Sequence, residues 1–167
     1  VGTKEVNYSV LRNSNTVSRI AEIDIYINGP PQEFAQTVNE KLIEKGSLVK
    51  FLIPNNESIQ DQWLKVPTEF NDSEWKEVVQ PLGWESPGGT MEEAILSNIN
   101  EDMFGVNASG YFRFPFQYDL KKKTPISGEL KLRVDDGYVA YLNGVEIDRK
   151  NVPESIVWNS RATGSRG

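Results

Sequence analysis

The chain has 167 residues and a formal net charge of −6 at neutral pH, which is enough length for one domain with a hydrophobic core. An acidic chain without a basic face is a poor nucleic-acid binder, and no apolar run approaches the about 18–20 residues of a membrane-spanning helix. The sequence contains no Cys and no His, which excludes disulfides, thiol nucleophiles, the Ser-His-Asp triad and nearly all zinc sites. We therefore expect a non-catalytic protein.

The first 41 residues are predicted to form an N-terminal extension or linker. Residues 1–19 are polar, with several Asn and Ser close together, and indicate a linker or a ragged edge. Ile20 to Ile27 alternates apolar and polar residues, which predicts a half-buried strand with its isoleucines on one face. Gln32 to Lys45 has apolar residues at helical spacing and predicts a short helix, with an irregular crossing as the alternative.

Residues 42–167 are predicted to form the main domain. Within it, Leu48 to Ile53 is a short apolar run typical of a strand. The spacing of aromatic residues from Gln62 to Trp84 fits neither a helix nor a strand, as in a long loop that is pinned by buried side chains. Trp63 and Trp75 are accordingly predicted to be core residues.

A strongly alternating segment, Tyr111 to Tyr118, predicts a further strand. Phe112 and Phe114 are expected to share one face, with Arg113 on the other. Pro115 cannot donate a hydrogen bond to a neighbouring strand, so this segment is predicted to be an edge strand or a strand with one free side.

The segment Leu130 to Ile147 is predicted to be a β-meander. Asn143-Gly144 between alternating residues is typical of a hairpin with a two-residue type I′ turn. Upstream, Asp135-Asp136-Gly137 is predicted to be a three-residue loop with a left-handed glycine, because only that length pairs Val134 with Tyr138 and keeps all core faces in agreement.

Five motifs follow one another along the chain: KFLIPNN, FNDSEWKEVVQPLGW, EDMFGVNASGYFRFPF, LKLRVDDGYVAYLNGVEIDRKN and WNSRATGSR. In this order they resemble one recurrent module of very large secreted or cell-surface proteins of planctomycetes and verrucomicrobia. The resemblance covers about residues 42–167. It implies an all-β fold, the antiparallel two-sheet jelly-roll sandwich of galactose-binding-like domains. The module continues with further strands, so this chain is expected to be truncated and to leave an exposed edge.

Two adjacent carboxylates, Asp135 and Asp136, are the candidate metal ligands. Oxygen ligands on a turn suit calcium, and ordinary turn formation by Asp is the alternative. The meander also resembles the Asp-Asp-Gly hairpin of PA14 domains, some of which bind glycans through calcium at paired Asp residues.

Four residues are candidate glycan contacts. Trp84 and Trp158 lie near predicted turns, and Tyr141 is expected on the outer face of the meander, where an aromatic ring can stack on a sugar. Asn143 could contact a glycan through its amide. Packing in the core is the alternative for the aromatic residues, and turn formation is the alternative for Asn143.

The leading hypothesis is a non-catalytic accessory or adhesion module of a larger extracellular protein, binding a glycan or a neighbouring protein domain. Alternatives are a ligand-free structural spacer of a cell-surface assembly, or an accessory part of a larger hydrolase. We expect secretion or cell-surface display in a bacterium, no nucleic-acid partner and no membrane span, with calcium as the one candidate cofactor.

Overall fold

The structure is a computed structural model that describes residues 2–11, 19–28, 39–65, 69–85, 87–89, 91–119 and 127–164. These ranges consist mainly of β-strands joined by loops, with short 3₁₀ turns at Gln62–Leu64 and Glu92–Ala94. The elements are β1 (Gly2–Leu11), β2 (Arg19–Asn28), β3 (Asn39–Ile43), β4 (Leu48–Leu52), β5 (Lys76–Val79), β6 (Leu82–Trp84), β7 (Ser97–Asn98), α1 (Asn100–Met103), β8 (Ser109–Tyr118), β9 (Ser127–Val134), β10 (Gly137–Leu142) and β11 (Val145–Lys150).

The larger sheet, sheet A, has the strand order β11-β10-β1-β8-β4-β5, and its neighbours are antiparallel. β1 lies inside this sheet, where Val6 pairs with Phe114 on one side and with Leu142 on the other. The prediction of a linker over residues 1–19 is therefore wrong for Gly2–Leu11. Polar residues alternate with the valines of this segment, and pairing on both sides makes it a strand despite that polarity.

The smaller sheet, sheet B, has the order β3-β2-β6-β7, and β9 pairs with β2. The strand predicted over residues 20–27 is confirmed as β2. The helix predicted from Gln32 to Lys45 is wrong for Asn39–Ile43, which is β3, while residues 29–38 lie outside the described ranges. Ile43 pairs with Ile25 and is buried, so tertiary pairing overrides the helical spacing.

The division of the chain at residue 42 stays a prediction about domains. Strands from both sides of that position pair with each other in each sheet. The strand predicted at residues 48–53 is confirmed as β4.

Apolar side chains from the facing sides of both sheets form one shared core. Sheet A contributes Val49, Phe51, Phe112, Phe114 and Ala140, and sheet B contributes Ile23, Ile25, Ile43, Leu82 and Trp84. The predicted face shared by Phe112 and Phe114 is confirmed. Because strands of both sheets direct apolar side chains into this one core, the protein is an all-β, sandwich-like fold of mainly antiparallel strands.

The outer face of sheet A is covered by a second cluster, which we call the aromatic layer. It consists of Trp63, Trp75 and Tyr111 with the partly buried Leu52, Ile59, Leu64, Phe70, Tyr141 and Trp158. The ring of Trp63 stacks on that of Tyr111 at a centroid distance of 4.5 Å. The prediction that Trp63 and Trp75 are core residues is confirmed, since both are buried where the loop after β4 crosses the sheet.

The strand predicted at Tyr111 to Tyr118 is confirmed as β8, but it is not an edge strand, since it lies between β1 and β4. The pairing of β4 with β8 ends at Arg113, whereas β1 continues and pairs Glu5 with Pro115. Pro115 therefore lies where β8 has passed the end of β4. On that side no neighbouring strand in the described ranges needs a backbone N–H from residue 115, so a proline is tolerated there.

The hairpin between β10 and β11 is confirmed, and the rest of the predicted meander is wrong. Leu142 pairs with Val145, and both Asn143 and Gly144 have positive φ, 50° and 81°, as a type I′ turn requires. β9, however, pairs with β2 in sheet B, so the connection through Asp135 crosses from one sheet to the other.

The edge strand β11 departs from the regular hairpin that the sequence predicts, which would place Val145 and Ile147 on the core face with Leu142. Tyr141 pairs with Glu146 but Ala140 pairs with Asp148, so Ile147 is an extra residue in β11. Val145 still pairs with Leu142, yet neither Val145 nor Ile147 joins the core, and the two are 67% and 46% exposed. Such irregularities and charges are typical of sheet edges that resist pairing with other chains.

A substitution at Gly137 tests the crossing between the sheets. The left-handed residue is Asp136, with φ 72°, and not Gly137 as predicted. A Cβ on Gly137 would lie 2.5 Å from the backbone oxygen of Asn151, so Gly137 is required for close approach. We expect Gly137→Ala to lower the free energy of unfolding by about 2 kcal/mol, which urea denaturation would measure.

A matched control for this substitution is Gly46→Ala. Gly46 has a positive φ of 90°, and a Cβ added there would meet no atom within 4 Å, so this variant reports backbone strain without a clash. If Gly137→Ala were no more destabilising than Gly46→Ala, the close approach at Asn151 would have no energetic role.

Candidate functional site

Trp84 lies in the shared core and not on a binding surface. Its side chain is 4% exposed and contacts Phe104 edge to face at 6.5 Å. A sugar could reach this indole only if the core opened. Trp84 therefore stabilises the sandwich, which was the alternative to a ligand contact.

Tyr141 faces away from the shared core, as the sequence predicted, but the aromatic layer covers it. Its ring meets Trp63 edge to face at 5.9 Å. Burial is the main cause that raises the pKa of Tyr141, followed by the charge of Glu146. Burial likewise raises the pKa of the neighbouring Tyr111 to about 12, so these phenols remain neutral at physiological pH.

Asn143 belongs to the hairpin turn, at the far end of β10 from the crossing at Asp136. The adjacent Gly144 approaches Leu64 so closely that a Cβ would lie 2.9 Å from the Leu64 carbonyl oxygen. The positive φ of Asn143 is accounted for by turn formation.

Asp135 and Asp136 form a hydrogen-bonded turn where the chain crosses between the sheets. The Asp136 backbone N–H donates to Asp135 Oδ1 at 3.0 Å, and the Asn151 side-chain amide donates to the Asp136 carbonyl oxygen at 2.8 Å. Within the described ranges, no group of three or more acidic, His or Cys side chains is placed to hold a metal ion. Turn formation accounts for both residues, and calcium binding here stays a prediction.

Of the four candidate glycan contacts, Trp158 borders an open cleft. It lies in the turn from Val157 to Ser160, where the Val157 N–H donates to Ser160 Oγ at 2.8 Å. The hydroxyl of Ser109 on β8 donates to the Ser160 carbonyl oxygen at 2.6 Å. The Trp158 N–H donates to Gln60 Oε1 at 3.1 Å, so the turn is tied both to sheet A and to the loop after β4.

The facing wall of the cleft is formed by the segments Pro54-Asn55 and Gly105 to Ala108. Asn107 joins the two segments, because its side-chain amide donates to the Pro54 carbonyl oxygen at 2.6 Å. The amide oxygen of Asn107 accepts the Ala108 N–H at 2.7 Å. A positive φ of 76° at Gly105 turns the chain from α1 towards this wall.

The cleft, which we call the Trp158 cleft, has a volume of about 370 Å³ and mixed chemistry. Its main side chains are Trp158, Val106, Asn55, Asn107, Asn159 and Arg161. Side-chain amides both donate and accept hydrogen bonds, as sugar hydroxyls require, and an indole offers an apolar face. No carboxylate is found among the described residues that line it, so these residues offer no acid–base pair for glycoside hydrolysis.

Sequence reasoning identified Trp158 but missed the amides and Arg161. These residues come from three separate segments, and only the fold brings them together. The available signal was that Asn55, Asn107, Asn159 and Arg161 all lie within motifs that carry the family resemblance.

A second groove, with a volume of about 440 Å³, lies along β9, β10 and β11, and we call it the edge groove. It is lined by Leu130, Lys131, Leu132, Tyr138, Ile147 and Asp148. The Tyr138 hydroxyl donates to Asp148 Oδ2 at 2.5 Å, and burial together with this bond raises the pKa of Tyr138 to about 12. This hydrogen bond links β10 to β11 across the groove.

The fold and the cleft together define an all-β, sandwich-like domain with a polar and aromatic cleft at the end of sheet A. No family model matches the chain, and neither does any curated protein or solved structure. Among the described residues, no helix has the length and apolar character needed to cross a membrane.

Proposed function

We propose that the chain is a non-catalytic carbohydrate-binding module of a larger extracellular protein, and that its ligand binds in the Trp158 cleft. The observation that carries this proposal is the meeting of one indole with three asparagine amides in a single open cleft. Sugars are recognised by this combination, because an aromatic ring packs on the apolar face while amides bind the hydroxyls.

The proposed family and location rest on the sequence motifs. Resemblance to the modules of planctomycetes and verrucomicrobia favours the galactose-binding-like jelly roll and secretion or display on a bacterial cell surface. The two facing sheets with one shared core are compatible with that fold. In such a protein the module would hold a partner domain close to a glycan.

Substitution of Trp158 tests the proposal. A glycan-array screen of the full chain would first identify a saccharide, and titration calorimetry would then measure its affinity. We expect Trp158→Ala to weaken binding by about 30-fold, since truncating an aromatic anchor costs on the order of 2 kcal/mol.

Two further variants keep this test independent of folding. Asn159→Ala removes an exposed cleft amide without touching the aromatic layer, and is expected to weaken the same interaction. Trp84→Phe removes an indole from the core and is expected to leave affinity unchanged. If the wild-type chain bound no saccharide, the proposal would be contradicted and a ligand-free spacer favoured. The same holds if Trp158→Ala and Asn159→Ala both fold and both keep the affinity of the wild type.

A further inference from the structure

We infer that the saccharide bound in the Trp158 cleft carries an acidic group, and that Arg161 binds it. This inference rests on the proposed function and adds the chemical class of the ligand. Arg161 is exposed and is the one charged residue among the described lining of the cleft. With the described residues it forms no hydrogen bond or ion pair.

Two other arginines, Arg113 and Arg149, have carboxylate partners in the protein. Arg113 is buried against Asp72, with its Nε 3.3 Å from Asp72 Oδ2, and Arg149 pairs with Glu146 three residues away. Arg161 has no such carboxylate among the described residues, although the chain as a whole is acidic, with a net charge of −6. Among the described residues that line the cleft, Arg161 thus supplies one positive charge and no carboxylate offsets it, in an otherwise acidic protein.

The backbone that carries Arg161 is held on both sides. Ser160 and Ala162, its neighbours, are buried. The Ser160 carbonyl oxygen accepts the Ser109 hydroxyl, and the Thr163 N–H donates to the Asn151 carbonyl oxygen at 2.9 Å. The backbone that carries the guanidinium is therefore held in place before a ligand binds, so little backbone entropy is lost on binding.

The hydrogen-bonding geometry of a guanidinium indicates which chemical group the saccharide carries. A planar guanidinium binds a carboxylate or a sulfate through two parallel hydrogen bonds, whereas a neutral sugar would use only the amides and the indole. The shared ligand chemistry is thus a saccharide with an anionic oxygen group, either the carboxylate of a uronic acid or a sulfate ester.

The test compares neutral, uronate-containing and sulfated oligosaccharides of matched length on the full chain. We expect the wild type to prefer one of the two acidic sets, with an affinity that falls as salt is raised. Arg161→Gln is expected to weaken acidic binding by about tenfold or more and to leave neutral binding unchanged. Arg161→Lys keeps the positive charge but cannot form the two parallel hydrogen bonds. Its affinity for the acidic saccharide is expected to lie between those of the wild type and Arg161→Gln.

Arg149→Gln is the matched control, since it removes the same charge from exposed β11, outside the cleft. If neutral saccharides bind as tightly as acidic ones and Arg161→Gln has no effect, the inference is overturned while the carbohydrate-binding proposal stands. If the wild type binds no saccharide of any set, both are overturned.

Discussion

Asp72→Ala is expected to lower the free energy of unfolding by about 3 kcal/mol, because it breaks an ion pair with a buried arginine. The Arg113 side chain is 0% exposed beneath the aromatic layer, and Asp72 Oδ2 lies 3.3 Å from its Nε. Asp72 also binds Lys50 Nζ through Oδ1 at 2.7 Å. We place the loss at the lower end of the range for buried pairs because the Asp72 side chain is 18% exposed, so water can partly replace it.

Arg113 also contacts the loop between β4 and β5 at two further residues. Its guanidinium lies 5.0 Å from the ring centroid of Phe70 and donates from Nη2 to the Lys65 carbonyl oxygen at 3.1 Å. Both partners belong to the loop that covers sheet A. Arg113 therefore fastens that loop to the sheet, and loss of Asp72 should loosen the aromatic layer as well as the ion pair.

Urea denaturation of Asp72→Ala, with Glu74→Ala as the control, measures this effect. Glu74 is an exposed carboxylate of the same loop, and its removal should change stability by no more than about 0.5 kcal/mol. A double-mutant cycle with Arg113→Met should give a loss smaller than the sum of the single losses, because it removes both charges together. Equal stability of Asp72→Ala and Glu74→Ala would show that the pair contributes nothing.

Gln80→Ala is expected to cost about 3 kcal/mol, because one buried side chain satisfies three backbone groups. The Ile23 N–H donates to Gln80 Oε1 at 2.7 Å, and Gln80 Nε2 donates to the carbonyl oxygens of Ile23 and Glu44 at 2.9 and 2.7 Å. Gln80 is 0% exposed and connects the middle of β2 to the turn after β3. Alanine would leave these groups without their partner inside the sandwich.

The matched control is Gln117→Ala, since Gln117 is exposed on β8, and the measurement is again urea denaturation. Gln80→Glu retains the size of the side chain but removes both donors and adds a charge, so we expect it to be at least as destabilising as Gln80→Ala. A stability of Gln80→Glu near that of the wild type would contradict the assigned hydrogen bonds.

Alternation of apolar and polar residues predicted individual strands correctly. It did not predict which strands pair with each other, because that depends on residues far apart in the sequence. The Asn143-Gly144 turn specifies its own geometry, so the hairpin was predictable with its register at Leu142. The crossing from β9 to β10 at Asp136 could not be predicted, because the same residues would be buried if β9 and β10 formed a hairpin. Leu132 and Tyr138 pack on the shared core in either case, and only pairing of Leu132 with Ile23 reveals that β9 belongs to sheet B.

The candidate site was less predictable than the fold. Trp158 could be proposed because a tryptophan near turns is a candidate for partial exposure, but the same reasoning selected Trp84, which is buried. Burial depends on which loop packs over which strand, and sequence spacing does not carry that information. Asn107 and Arg161 are ordinary polar residues until the fold places them in one cleft.

Chemical-shift mapping tests the carbohydrate-binding proposal most directly. The ¹⁵N-labelled chain would be titrated with the saccharide that ranks highest on the array, and each amide and indole signal followed. We predict the largest shifts at the Trp158 indole and at the amides of Asn107 and Asn159, with none at the edge groove. Shifts concentrated at Tyr138 and Ile147, or a spectrum unchanged by the saccharide, would contradict binding in the Trp158 cleft.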